Sequence, residues 1–517
     1  MYPLIKPLRR PMPIAVFCIF LSACGGQAAQ PELGAKAASK RSSVITLDTL
    51  KAFPTAMGAG AKITGGRGGT VHWVTTTAPQ GPGSFHEALN CGGIGETGRE
   101  NHKTIMFAVG GSFTHNYHCW TDLKKTTIAG QSAKDLGGFH LDNSGDNEHF
   151  FYASTENIIW RYISIRGNRV PPNYDGDPVL YTVKSGNLFD HVTDYGGNST
   201  SGPSIGVGNT VQYNLATETN NYSTQNTGYQ TFNRDYRGKE GFSDYLYNVS
   251  ILKSHRIPTV SGSKLNKYRV INNYSYGWGT RHMVLNGSPI VDTYNNVFEE
   301  DVHWANYHHT LDQTYSLYTS DSYADGAVNG SYYFNKNWHR KHDFSELFTV
   351  DNKNVSFQQQ NSFAEVNLRD NKLAASPYLV ELINNPKKVK EYALKNAGAG
   401  VRYQANGVVT NVYPWEVKYI NYAKNGNEPN SDHATNYSRK FIPEKSRNLT
   451  NFEHNQGFSE SWAKKHGLNV NDADIRNGVK RNWSIQGYTV INKAGYTNLE
   501  IYLAELAGDF HKIAGGN

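Results

Sequence analysis

Two carboxylates on alternate residues, Asp175-Gly176-Asp177, are the part of this sequence best suited to hold a cation. On a strand, residues i and i+2 share a face, and the glycine between them lets backbone and ligand approach closely. The competing reading is a plain Asp-Gly turn. A second concentration of donors, His303, His308 and His309, lies among Trp304 and Tyr307. Its spacing matches no zinc site, and the aromatic residues there suit sugar stacking or the covering of a coil. Glu299, Glu300 and Asp301 read as a solvated turn. Cys91 and Cys119 remain after Cys18 and Cys24, and either pair as a disulfide or stay as two buried thiols.

Such side chains need elements to position them, and the chain shows a period. Tyr247-Asn248-Val249 is echoed by Ile271-Asn272-Asn273-Tyr274 and by Tyr294-Asn295-Asn296-Val297. Taken from Asn248 to Asn272 to Asn295, the steps are 24 and 23 residues. Upstream, Asn157, Asn187 and Asn209 continue the pattern with steps of 30 and 22. Short β-branched and aromatic runs alternate with Gly, Asn, Asp and Ser turns from residue 56 to 370, with no helix in each repeat. This pattern predicts an all-β parallel β-helix, one coil per repeat, with aligned asparagines laddering along the stack. The last 140 or so residues differ: helices are predicted at Lys387–Asn396, Ser459–His466 and Thr497–Leu506, in loop-rich chain that wraps the solenoid.

Composition limits the function classes. The chain has 517 residues, 18% charged and 38% hydrophobic, which excludes a disordered protein. Lys6, Arg9 and Arg10 precede an apolar run from Pro13 to Leu21 and then Leu21-Ser22-Ala23-Cys24. This resembles a bacterial lipoprotein leader, with Cys24 the lipidated residue. The expected layout is a signal peptide at 1–23, a tether at 24–55, the β-helix domain at 56–370 and a helix and loop extension at 371–517. The expected location is the bacterial cell envelope, with the protein exported and held at a membrane by its N-terminal lipid. Without the three leader cations, 48 Lys and Arg face 44 Asp and Glu. That balance gives no reason to expect nucleic acid as a partner.

Gly65-Gly66-Arg67-Gly68-Gly69, Ser84-Phe85-His86-Glu87-Ala88-Leu89, Asn157-Ile158-Ile159-Trp160-Arg161, Asp190-His191, Arg256-Ile257-Pro258 and Asn498-Leu499-Glu500 occur in an order that resembles secreted pectate-lyase-like proteins. The resemblance runs over roughly residues 60–506 and implies a right-handed parallel β-helix. It implies β-elimination on an acidic polysaccharide, with Arg256 as the base and Ca²⁺ held by Asp175 and Asp177. Where the family carries its second set of calcium carboxylates, this chain has Asn198-Ser199-Thr200-Ser201-Gly202, without an acid. Calcium is therefore expected to bind weakly or through substrate carboxylates. The family's second arginine is Ser261 here, and Lys253 and Lys239 are substitutes by charge for binding substrate. His191 is expected to pack beside the cleft. A monomer is expected. The alternatives are a non-catalytic surface glycan-binding β-helix and, behind it, a hydrolase, which would need paired acids across a groove.

Overall fold

The computed structural model describes residues 44–92, 101–115, 119–143, 151–153, 155–166, 180–182, 185–195, 201–203, 207–217, 230–231, 240–255, 257–262, 265–281, 283–287, 289–299, 315–318, 331–335, 337–339, 348–350, 357–358, 385–405, 407–426 and 441–515. Strands from successive coils pair in parallel. One sheet has eleven strands, running from Thr70–Val74 through Glu156–Arg161 and Gly241–Leu246 to Phe357–Gln358. A second, of ten strands, includes Ile163–Arg166, Thr193–Tyr195, Leu215–Thr217 and Val249–His255 in neighbouring positions. The third face is made by a four-stranded and a five-stranded sheet. Each coil visits the three in turn, which makes the molecule a right-handed parallel β-helix, the hand that parallel crossovers take.

The turn between the first and second sheets is a single tight corner. Its leading residue has a positive φ in coil after coil: Tyr162, His191, Tyr213, Tyr247, Asn272 and Asn295, all between 53° and 57°. Asparagine tolerates this region, whereas Tyr and His do so at a cost of about 1–2 kcal/mol. Ring stacking offsets that cost. Tyr162 lies on His191 at 4.6 Å, His191 on Tyr213 at 5.2 Å, and Tyr213 on Tyr247 at 5.3 Å.

The residue after the corner continues the asparagine ladder. Asn248 Oδ1 accepts from the Asn214 backbone at 2.9 Å, Asn273 Oδ1 from Asn248 at 2.7 Å, and Asn296 Oδ1 from Asn273 at 2.9 Å. Asn337 receives Asn296 at 3.0 Å. The expected alignment of Asn248 with Asn272 and Asn295 is therefore displaced by one residue. The register pairs Val249 with Tyr274, so Asn248 stacks on Asn273 and Asn296. Asn272 and Asn295 form a second ladder, with Asn295 Nδ2 donating to Asn272 Oδ1 at 2.6 Å. In the Asn-Asn doublets either residue fits the spacing, and only strand register separates them.

Inward side chains fill the coils. Phe107, Phe113 and Phe139 meet at 4.5–6.0 Å, and Phe85, on a short helix capped by Ser84, closes over them at 4.8 Å from Phe139. Cys91 and Cys119 are joined in a disulfide beside this end, with Cα atoms 4.7 Å apart. The predicted C-terminal helices occur at Pro386–Asn396, Glu460–Lys465 and Asn498–Ala507, and a further helix at Pro414–Asn425. Residues 44–47, expected in the tether, instead form a strand beside Tyr488–Asn492, itself hairpinned to Asn482–Ile485. Alternating burial of Ile45 and Leu47 against Val490 and Ile485 explains why this stretch folds. Among the described residues no helix is long and apolar enough to cross a membrane.

The ladder sets a stability test. Asn273 satisfies the backbone N–H of Asn248 and donates to Tyr245 O at 3.0 Å. Asn273→Ala leaves both groups buried without that partner and is expected to cost about 2–4 kcal/mol, read as a lowered urea midpoint. A change within 0.5 kcal/mol would contradict a structural ladder.

Candidate functional site

Along the chain, the acids and the arginine singled out for chemistry fall between strands of the second and third faces. Asp175 and Asp177 fall between Ile163–Arg166 of the second sheet and Leu180–Thr182 of the third. Arg256 falls between Val249–His255 and Thr259–Gly262, which belong to the second and third faces in the same way. Three strand spacings, about 14 Å, separate the two departing strands. Asp175, Asp177, Arg256 and Lys239 lie outside the described residues, as do Cys24, His303, His308 and His309. The Lys253 backbone is described and stands in register with Trp278. Asp194, near the expected carboxylate position, is buried in the stack. Among the described residues no three His, Cys, Asp or Glu side chains converge to hold a metal ion.

The described residues instead gather the resembling motifs into one buried seam. Arg161 Nε donates to Asp190 Oδ2 at 2.8 Å. Its two terminal nitrogens fork onto Asp509, at 2.9 and 3.2 Å. Asp190 also accepts from Gln212 Nε2 at 2.7 Å, and Asp509 from Thr55 Oγ1 at 2.9 Å. All of Arg161, Asp190 and Asp509 are at most 2% exposed. Burial opposes every one of these charges, yet Asp509 and Asp190 hold the guanidinium charged. Despite its own burial, Asp190 is held well below the usual carboxylate range by His191 and Arg161.

His191 packs as expected, but inside this seam. Its Nδ1 lies 2.9 Å from Asp190 Oδ1. Nε2 lies 2.9 Å from the Tyr403 hydroxyl. Burial pushes the imidazole down to about 3, against the pull of Asp190. It is therefore neutral across the range in which a histidine ordinarily exchanges protons, with no access to substrate. Lys512 rests on the Tyr213 ring at 3.1 Å, and burial pushes its ammonium down to about 7. Perturbed values of this kind mark catalytic groups in open clefts; here they mark a dry joint between coils and C-terminal helices.

Two further motifs meet in the same way. Arg67 of the glycine-rich opening pairs with Glu500 at 2.5 Å. Gly66 has no room for a side chain, since a Cβ there would sit 2.2 Å from Lys103 O. On the helix Pro414–Asn425, buried Glu416 accepts from Thr193 Oγ1 and Asn411 Nδ2, each at 2.6 Å. Sequence reading missed Asp509, Lys512 and Glu416. Their signal was only that ionisable residues stand on otherwise apolar helix faces.

Comparison with known proteins defines the class first. No family model matches the chain. Curated relatives do: a probable pectate lyase C of Aspergillus terreus is 27% identical over 257 residues, 49% of this chain and 54% of that protein. That of Emericella nidulans is 27% identical over 254 residues, and that of Aspergillus oryzae 26% over 297. The chain spans about half the length of the first of these curated relatives. Among solved structures, a Bacillus subtilis pectate lyase variant aligns with 68% of this chain and 98% of its own (TM-score 0.42, 13% identity). The cedar pollen allergen jun a 1 aligns with 61% and 92% (TM-score 0.35, 17% identity). The resemblance read from the motifs holds: the chain is a right-handed parallel β-helix that is similar, over about half its length, to proteins named pectate lyase C.

The relatives also correct one expectation. A bacterial, lipid-anchored envelope location was expected from the leader-like segment, whereas the curated relatives named here are fungal. A short basic stretch, an apolar run and small residues form a degenerate pattern that does not fix source or destination.

Glu416 provides a pH test. Burial raises its carboxyl from the ordinary 4.5 to about 7, against the bonds from Thr193, Asn411 and Gly400. A raised acid binds its proton more tightly when folded. Its contribution is full below about 4.5 and is lost as pH rises through about 7, for a total of about 3 kcal/mol. The stability difference between wild type and Glu416→Gln, from urea unfolding at several pH values, should shift against wild type over that window and be level above it. A separate test concerns the fork: Asp509→Asn should cost about 3–5 kcal/mol and expose the C-terminal helices to limited proteolysis.

Proposed function

We propose that the protein is a polysaccharide lyase that cleaves pectate or a related uronate polymer by β-elimination. The observation that carries this reading is the ordered likeness to pectate lyases, joined to a chain order in which Asp175, Asp177 and Arg256 each fall between a strand of the second sheet and one of the third face. In that reaction the C5–H bond of a uronate breaks, its electron pair forms the C4=C5 double bond, and the C4–O4 bond breaks. The leaving oxygen takes a proton. The adjacent carboxylate is already negative, so positive charge must gather there as the carbanion develops.

In this reading Arg256 removes the C5 proton. A guanidinium does so only when desolvation and nearby cations favour its neutral form. Lys253 and Lys239 bind substrate carboxylates in place of the arginine that Ser261 replaces. Asp175 and Asp177 would hold a calcium ion, which would neutralise the uronate carboxylate. With one pair of acids, its affinity depends on carboxylates that the polymer brings.

The absence of acids at 198–204 and of a second arginine favours a second reading, a glycan-binding β-helix without catalysis. Ultraviolet absorbance of unsaturated uronate product separates the two over a panel of pectate, alginate and other uronans. We expect product from wild type, and a rate at least ~100-fold lower in Arg256→Ala. Binding without product on every polymer would establish the second reading. Chelation of divalent ions should slow the wild type, and Asp175→Asn/Asp177→Asn should reproduce that loss.

A further inference from the structure

A cationic cleft is lined by residues other than those assigned to catalysis. It is a space of about 770 Å³ between the last described coils and the helix Pro386–Asn396. Four lysines line it, Lys387, Lys390, Lys395 and Lys424, against two acids, Glu299 and Glu391. Lys390 is already neutralised, because it pairs with Glu299, which also accepts from Tyr274 Oη at 2.8 Å. Lys387 and Lys424 are exposed and have no carboxylate partner among the described residues. The cleft therefore keeps an unspent positive charge.

Two further features point to what would spend it. Trp338, on a strand of the second sheet, is 39% exposed at the cleft. An aromatic face left in water beside free ammonium groups suits a ring that is apolar on one side and anionic at its edge. The helix Pro386–Asn396 opens onto the cleft, with Asn385 as its N-cap and Lys387 and Lys388 in its first turn. That turn carries no acid, so its positive end is reinforced instead of balanced. An anion in the cleft relieves this repulsion.

We propose that this cleft is a binding site for an anionic oligosaccharide, a stretch of uronate polymer held apart from the point of cleavage. A sugar ring stacks on Trp338 while its carboxylates meet Lys387 and Lys424. The choice of ligand rests on the proposed uronate substrate; the cleft and its charge do not. Such a site tethers the polymer to the protein and raises its effective concentration at the point of cleavage.

The test is affinity electrophoresis of the full chain, carrying Arg256→Ala to spare the polymer, in gels cast with polygalacturonate or with neutral dextran. The parent should be retarded by polygalacturonate alone, and less so at raised salt. Lys387→Glu/Lys424→Glu should weaken retardation at least about tenfold once mobility in polymer-free gel is subtracted. Trp338→Ala, which changes no charge, should weaken it severalfold, with an unchanged thermal midpoint showing that the coils remain folded. Unchanged retardation in both variants overturns the site, as does a parent that is not retarded or is equally retarded by dextran. Wild-type cleavage with unaffected retardation in the variants would retain the lyase and reject the cleft. Variant-sensitive retardation in a protein that cleaves no uronan would do the reverse.

Discussion

One guanidinium ties the two halves of this molecule together. Arg161 leaves the first sheet, bonds Asp190 of the next coil and grips Asp509 of the C-terminal segment through both terminal nitrogens. Three charges at most 2% exposed are tolerable because both carboxylates share the one guanidinium. Remove the guanidinium and two carboxylates are left uncompensated in a buried joint. The C-terminal helices are therefore an integral wall of the solenoid, held by geometry as strict as that of the ladders they cover.

The corner stack makes that wall possible. Tyr162, His191, Tyr213 and Tyr247 present a continuous aromatic edge, and the C-terminal chain is built to meet it. Tyr162 Oη donates to Ala507 O at 2.9 Å, Tyr392 lies 5.3 Å from Tyr247, and Lys512 covers Tyr213. Beyond Tyr247 the corner residues become Asn272 and Asn295, and Asn295 Nδ2 donates to Asn272 Oδ1.

Much of this was legible in the sequence. The coil period, the parallel stack and three C-terminal helices follow from spacing, turn residues and caps such as Ser459 and Thr497. The one-residue slip at Asn272 and Asn295 arose because a doublet offers two equal matches, and register is a property of the neighbouring strand. The strand at 44–47 was hidden because four residues carry too little pattern without the hairpin that receives them. For the site, sequence indicated residue types and order, while the seam was invisible: Asp509 is 348 residues from Arg161. Motifs that carry the resemblance, Asp190-His191 and Glu500 among them, build ion pairs among the coils and the C-terminal chain.

The corner residues follow one another at steps of 29, 22, 34, 25 and 23, yet their backbone angles agree within a few degrees. Length variation is thus absorbed elsewhere in each coil, on the path that crosses from the second sheet to the third and back to the first. A lineage can lengthen, shorten or rewrite those excursions one at a time without disturbing the spine. The scaffold separates what must be inherited intact from what is free to drift.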